Sequence, residues 1–394
     1  MIERSIRLLT YAFLAVFPFG LLVRFKLATN VYITPQDVIV GLLFMLLVFR
    51  KSRIKSFKNY LLLQAIFLSV GLLSLLINQL IYRDVNVFVS VAYTMRYIMY
   101  LSLILVPQYF KNSVQLINAF VLSGTTLLLI GFFQLFFYSD MRPYIHLGWD
   151  NHLYRLVATF FDPNFVGVYF ALFTLFLFIV VSKLPFKKSI PYLLLAFFSV
   201  VAVYVTYSRT ALLSFVASLC VLAIFTKRLK LLLIFLFAGV AVLFLVSDMH
   251  IEGLNPFRTA SVNHRFQTVL DTQKVIEKNT LIGVGFNAYR YAQIRYDLRS
   301  TAGASISNAD AGSDNSYLFV LATVGIFGLI PYILSYWFLI KEIFSLRTVQ
   351  SKIVIAMICC VLVSSIFTNI LFYTPILAWF FLSISLFRGI KGSR

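Results

Sequence analysis

The chain has 394 residues, of which 61% are hydrophobic and only 12% charged, with a mean hydropathy of +0.91. So little polar surface excludes a water-soluble globule of this size, and continuous apolar runs without dyad alternation exclude a transmembrane β-barrel. The formal charge of +20 suggests nucleic acid only until the basic residues are located along the chain.

A spanning helix needs about 20 mostly apolar residues. Twelve candidates follow in order, near 6–23, 36–49, 60–80, 86–107, 114–138, 163–182, 190–206, 209–226, 229–247, 315–340, 353–372 and 374–388, the second and last being short. The expected fold class is therefore all-α, a polytopic integral membrane protein with about 12 transmembrane helices. Nine of these occupy 1–247, a long exoplasmic loop with amphipathic helices occupies 248–314, and three more occupy 315–394. Glu3, Arg4 and Arg7 precede the first apolar run and no small-residue cleavage site follows it, which reads as an uncleaved signal anchor.

With both termini cytoplasmic, the inner side carries 20 of the 34 Lys and Arg but only two of the 14 acids, Glu3 and Glu342. That bias is the positive-inside rule. The charge reports topology, and no nucleic-acid partner is expected. Cys220, Cys359 and Cys360 all lie in apolar runs, so neither a disulfide framework nor a metal cluster is implied. No internal repeat of the kind that marks many transporters is visible.

Polar chemistry gathers in two exoplasmic loops, 139–162 and 248–314, which hold all four histidines, His146, His152, His250 and His264. Their spacing matches no metal site, and no cofactor is expected. In the larger loop, apolar residues at Val262, Phe266, Val269, Leu270 and Ile276 predict an amphipathic helix over 261–278. A glycine-containing turn, 281–287, leads into a second helix over 287–299, and residues 300–313 read as a flap.

Within this frame a few residues invite chemistry. Arg209 opens the eighth span at its exoplasmic end, against the positive-inside bias and beside the positive end of a helix dipole. A bound phosphate would relieve both, the alternative being an arginine that snorkels to headgroups. Arg265 stands in the first turn of the loop helix beside His264, with Arg258 before it and Arg290, Arg295 and Arg299 after. These form either a basic pocket for a diphosphate or a solvated helix face balanced by Asp271, Glu277 and Asp297. Asp314 precedes the tenth span, either as its N-cap or as a general base. Gly325, Gly328 and Pro331 read as packing, with the proline kinking the span. Asp162-Pro163 start the sixth span as cap and first helical residue, and Asn164 is a candidate for a sugar hydroxyl. Arg96 is the one ionisable residue near the middle of a span, with no intramembrane acid apparent to pair it. Its expected partner is a carbonyl, a tyrosine or a ligand phosphate.

The order Ser208-Arg209-Thr210-Ala211, a long exoplasmic loop with Arg265 ahead of Leu281-Ile282-Gly283-Val284-Gly285, then Asp314-Asn315, nine residues and Gly325-Ile326-Phe327-Gly328 resembles the O-antigen ligase/polymerase superfamily over about 160–335. The resemblance implies transfer of a glycan from an undecaprenyl-diphosphate-linked oligosaccharide to an acceptor hydroxyl, without metal or nucleotide, at the exoplasmic face of a bacterial inner membrane. Arg209 and Arg265 match the two arginines that bind the diphosphate. Where the ligases carry a histidine this chain has Asp314, which is more similar to the polymerase side, and either residue can accept a proton. The expected substrate site adds Arg258, His264, Asn315, Asn164 and Arg290 to the catalytic set Asp314, Arg209 and Arg265. Beyond membrane lipid, the implied partners are the flippase and chain-length regulator of the same pathway. The alternatives are an O-antigen ligase acting on a lipid or protein acceptor and a transporter of lipid-linked oligosaccharide.

Overall fold

The computed structural model describes residues 1–28, 31–50, 56–110, 113–147, 152–227, 260–300 and 312–386. Helices stand at eleven of the twelve expected spans: α1 (Ile2–Val16), α2 (Pro35–Phe49), α3 (Lys58–Tyr82), α4 (Val87–Ser102), α5 (Ser113–Phe137), α6 (Pro163–Val181), α7 (Phe186–Val205), α8 (Arg209–Thr226), α11 (Ser316–Phe344), α12 (Val349–Ser364) and α13 (Thr374–Leu386). The loop adds α9 (Ala260–Lys278) and α10 (Tyr289–Arg295). The expected ninth span, 229–247, and the flap residues 301–311 lie outside the described residues.

Among the described residues seven helices, α3 to α8 and α11, are long and apolar enough to cross a membrane, α4 by running on through a 3-10 segment to Tyr109. The helices α2, α12 and α13 are apolar but shorter. Apolar side chains point outward along the long helices, as Leu73, Leu76 and Leu80 do on α3 and Phe133, Phe136 and Phe137 on α5. In water that surface would cost roughly 25 cal/mol per Å², and lipid removes the cost. The protein is a multi-pass membrane protein. The most enclosed spanning helix is α6, whose Tyr169 and Phe176 pack with Phe120 of α5 around Trp379 of α13. One element has no counterpart in the sequence expectations, a short antiparallel hairpin of β1 (Phe25–Ala28) and β2 (Val31–Ile33) between α1 and α2.

Within the bundle the structure corrects two sequence expectations. The kink in the tenth span falls at Gly325 (φ 63°, ψ −169°), six residues before Pro331, a backbone region open essentially to glycine alone. The loop fills the break. Val284 and Gly285 donate to the carbonyls of Ala322 and Thr323 at 3.0 and 2.8 Å, while Ile326 and Phe327 donate to the carbonyls of Thr280 and Leu281 at 3.0 and 3.2 Å. Backbone groups exposed by a break inside a membrane cost several kcal/mol each unless they find partners. The 281–285 turn supplies them, so Gly325 is a docking point for the loop rather than simple packing.

The second correction concerns Arg96. Asp37, in the first turn of α2, pairs with it at 3.1 Å, and the Tyr32 carbonyl accepts from its guanidinium. Asp37 is easy to discount because it stands three residues after Thr34, whose side chain it meets in a capping box. It does both jobs, and it also accepts from the Tyr100 hydroxyl at 3.1 Å. The ion pair belongs to the bundle's own packing.

Candidate active site at converging helix ends

Two helix starts are joined first. Asp162 caps α6, accepting from the backbone of Asn164 at 2.6 Å and of Phe165 at 3.4 Å. Ser208 caps α8, its Oγ accepting from Ala211 at 3.2 Å and donating to Asn164 Oδ1 at 2.7 Å. Asn164 thus ties the start of α6 to the residue before Arg209, so the structure uses its carbonyl to hold the cap. The approach to α8 is clamped from the other side by Arg155, a residue that sequence reasoning missed. Its buried guanidinium donates to the carbonyls of Thr206 and Tyr207 at 2.8 and 3.4 Å, where α7 ends and Tyr207 turns the chain with φ 50°. An arginine within the polar 139–162 loop has no distinguishing sequence signal; only the fold brings it to the carbonyls of a helix C-terminus, where a cation is favourable.

Arg265 reaches this cluster from α9. Its Nη1 donates to Thr210 Oγ1 at 3.1 Å, in the first turn of α8 and next to Arg209. Burial holds its guanidinium below the usual value, Asp314 and Asp162 act to raise it, and Arg209 acts to lower it. Two guanidinium groups and two carboxylates, drawn from three helix starts and the loop helix, therefore share one electrostatic neighbourhood around Arg265. The cluster is balanced as it stands. A bound diphosphate would draw on the two arginines and add the partial positive charge of the α6 and α8 starts.

Asp314 is not the cap of α11, which corrects one of its two sequence readings. Asn315 takes that role, its Oδ1 accepting from the backbone of Tyr317 and Leu318 at 2.9 and 3.0 Å. Ser316 then anchors the helix start, its backbone donating to the Ser365 carbonyl at 2.8 Å and its Oγ to that of Thr368 at 3.0 Å. Asp314, half-buried, acts electrostatically on Arg265.

The remaining expectations divide. His264 is exposed on α9, one residue before Arg265. Arg290 lies beside Tyr291 with its Nη1 buried and unpaired. Arg295 does not join a basic pocket: it holds Asp84 through two bonds of 2.8 and 2.7 Å, donates to Asn78 at 3.2 Å and stacks on Tyr82. Arg258 and His250 lie outside the described residues. Among the described residues no group of three or more metal-binding side chains occurs.

A protein-family model described as O-antigen ligase matches residues 194–333, from the middle of α7 through the break in α11. Over that segment the match supports the O-antigen ligase/polymerase superfamily. The matched segment contains Arg209, Arg265, Asp314 and Gly325, and activity of the general ligase/polymerase type, on a lipid-linked glycan in a membrane, goes with the family. No curated protein matches the chain.

Proposed function

We propose that the protein is a polysaccharide polymerase of the bacterial inner membrane, transferring a glycan from an undecaprenyl-diphosphate carrier to the acceptor hydroxyl of another lipid-linked repeat unit. The observation that carries this reading is the convergence on Arg265 of Arg209, Asp162 and Asp314, with the cap of α11 assigned to Asn315. Two cations beside helix N-termini suit a leaving diphosphate, and a carboxylate with no capping duty suits a proton acceptor.

In this scheme the acceptor O–H proton passes to Asp314 while its oxygen bonds to the anomeric carbon. The bond from that carbon to the phosphate oxygen breaks on the opposite face, inverting the centre, and the diphosphate leaves with the electron pair between Arg209 and Arg265. Each preorganised donor to such developing charge is worth about 3–4 kcal/mol in comparable sites. The loop helix α9, which brings Arg265 to Thr210, would cover the site and limit competition from water. The site faces the exoplasm, both termini are cytoplasmic, and no step calls for a metal.

A strain lacking the gene, complemented with Arg209→Ala or Asp314→Ala and its surface glycan run on a gel, tests the scheme. Single repeat units on the acceptor are expected; unchanged chain length and yield with either variant would sink it. Full-length polymer left on the lipid carrier would instead identify the ligase reaction.

A further inference from the structure

Beside the charge cluster lies a cavity of about 280 Å³ between α4, the 286–287 turn, the approach to α11 and the start of α13. That volume is close to the lower end of small-ligand sites, about 300–1,000 Å³, which are mostly apolar with a few convergent polar groups. Its walls are largely aromatic, among them Tyr93, Phe286, Phe372 and Tyr373. Two amides open into it without partners: Asn287 Nδ2, a donor, and Asn369 Oδ1, an acceptor, are both buried and unbonded. Asn369 precedes a 3-10 turn yet makes no side-chain cap to it. A buried unpaired polar atom costs about 1–3 kcal/mol, and two of them on one aromatic cavity point to a ligand that supplies both an acceptor and a donor.

We infer that this cavity is the subsite for an uncharged sugar ring of the acceptor. A hydroxyl both donates and accepts, so neighbouring hydroxyls of one ring satisfy both amides while the ring's C–H faces lie against the aromatic walls. The ring is neutral because, among the described residues of the lining, the one formal charge, Arg96, is already paired with Asp37 and bonded to the Tyr32 carbonyl, which leaves no spare cation there for a carboxylate. The acceptor assignment follows from position and rests on the transfer reaction proposed above. Gly312, two residues before Asp314, lines the cavity, and so does Tyr373, which interacts electrostatically with Asp162 and stacks on Phe165 at 4.0 Å. Neither Arg209 nor Arg265 lines it. A hydroxyl leaving this cavity meets the carboxylates before the arginines.

The test uses Asn369→Leu, of similar shape, and Asn287→Gly, which the left-handed backbone at φ 56° accepts. Neither amide atom in question bonds to the protein, so the melting temperature of the purified full-length protein should hold or rise. Its affinity for undecaprenyl diphosphate in nanodiscs should stay within about twofold, while surface glycan in the complemented strain falls at least about tenfold. Saturation-transfer NMR with glucose, N-acetylglucosamine and glucuronate should give signals from a neutral sugar that Asn287→Gly removes. Unchanged glycan, a lowered melting temperature, diphosphate affinity falling in step, or signals absent or confined to glucuronate would each overturn the inference. Arg209→Ala separates it from the reading beneath: if that variant binds undecaprenyl diphosphate as tightly as the parent, the reaction scheme itself fails.

Discussion

The division of labour between Asp314 and Asn315 can be separated experimentally, because chemistry and capping fall on adjacent residues. Asp314→Asn keeps the size of the side chain and leaves the cap untouched, since Asn315 Oδ1 alone accepts from Tyr317 and Leu318 at 2.9 and 3.0 Å. Its effect on stability should be small beside its effect on rate, because the cap is kept and only the charge that Asp314 brings to Arg265 is removed. Loss of a general base costs about 10²- to 10⁴-fold in rate, which is about 3–5 kcal/mol of barrier at about 1.36 kcal/mol per decade. Asn315→Ala is the mirror image. Removing the cap costs about 1 kcal/mol of stability, or a shift of only about 1 °C in a chain of 394 residues at about 2.1 cal/mol/K per residue, and it leaves the proton acceptor in place. The assay pairs melting in detergent with the glycan ladder of the complemented null strain at matched membrane levels. Wild-type polymer from Asp314→Asn, or equal loss of polymer from both variants, would refute the assignment of the base.

Three further outcomes follow from the packing. Gly325→Ala drives a Cβ into the Leu281 carbonyl group, in a backbone region costing about 1–3 kcal/mol; the 281–285 turn should undock, read as new proteolytic cleavage there and a lower melting temperature. Gly41→Ala is its control: the nearest atom is 3.5 Å away, so a gain of about 0.5–1 kcal/mol is expected from helix propensity. Arg96→Ala strands a mostly buried Asp37 and should destabilise by about 3–5 kcal/mol, much of it recovered when Asp37→Asn is added, both measured by thermal unfolding.

The length of the apolar runs locates the long helices, because a run of about 20 apolar residues has few other uses, and seven of those described are long enough to cross a membrane. Of the residues that motifs name, Arg209 and Asp314 both act electrostatically on Arg265, and their catalytic roles stand as the proposal above. What stays hidden depends on contacts between residues distant in sequence. The break at Gly325 is stable only because residues 280–285 bond into it, and no local signal distinguishes it from the nearby Pro331. Arg96 reads as unpaired because Asp37 lies on another helix, far off in sequence, and is already explained as part of a capping box. The cap of α11 falls on Asn315, one residue beyond Asp314, a difference that spacing cannot resolve but a pair of hydrogen bonds can.

Arg155 extends the same lesson, since it anchors the chain just ahead of Arg209 without sharing its helix. Its guanidinium holds the carbonyls of Thr206 and Tyr207 at the end of α7, just ahead of Arg209, and Leu156 donates to the Val205 carbonyl at 3.0 Å beside it. Arg155→Ala strips a donor from both carbonyls in a buried setting, at about 1–3 kcal/mol for each group left unsatisfied, and frees the Tyr207 turn to relax. Arg209 then loses its fixed place beside Thr210 and Arg265. Arg155→Lys keeps a cation at the helix C-terminus but cannot span both carbonyls with a planar fork. Affinity for undecaprenyl diphosphate should therefore fall in the order parent, Arg155→Lys, Arg155→Ala, with the Lys variant recovering part of the loss. If Arg155→Ala lowered the melting temperature yet bound the diphosphate as the parent does, the clamp would serve the fold alone and the start of α8 would owe its position to the Ser208–Asn164 bond.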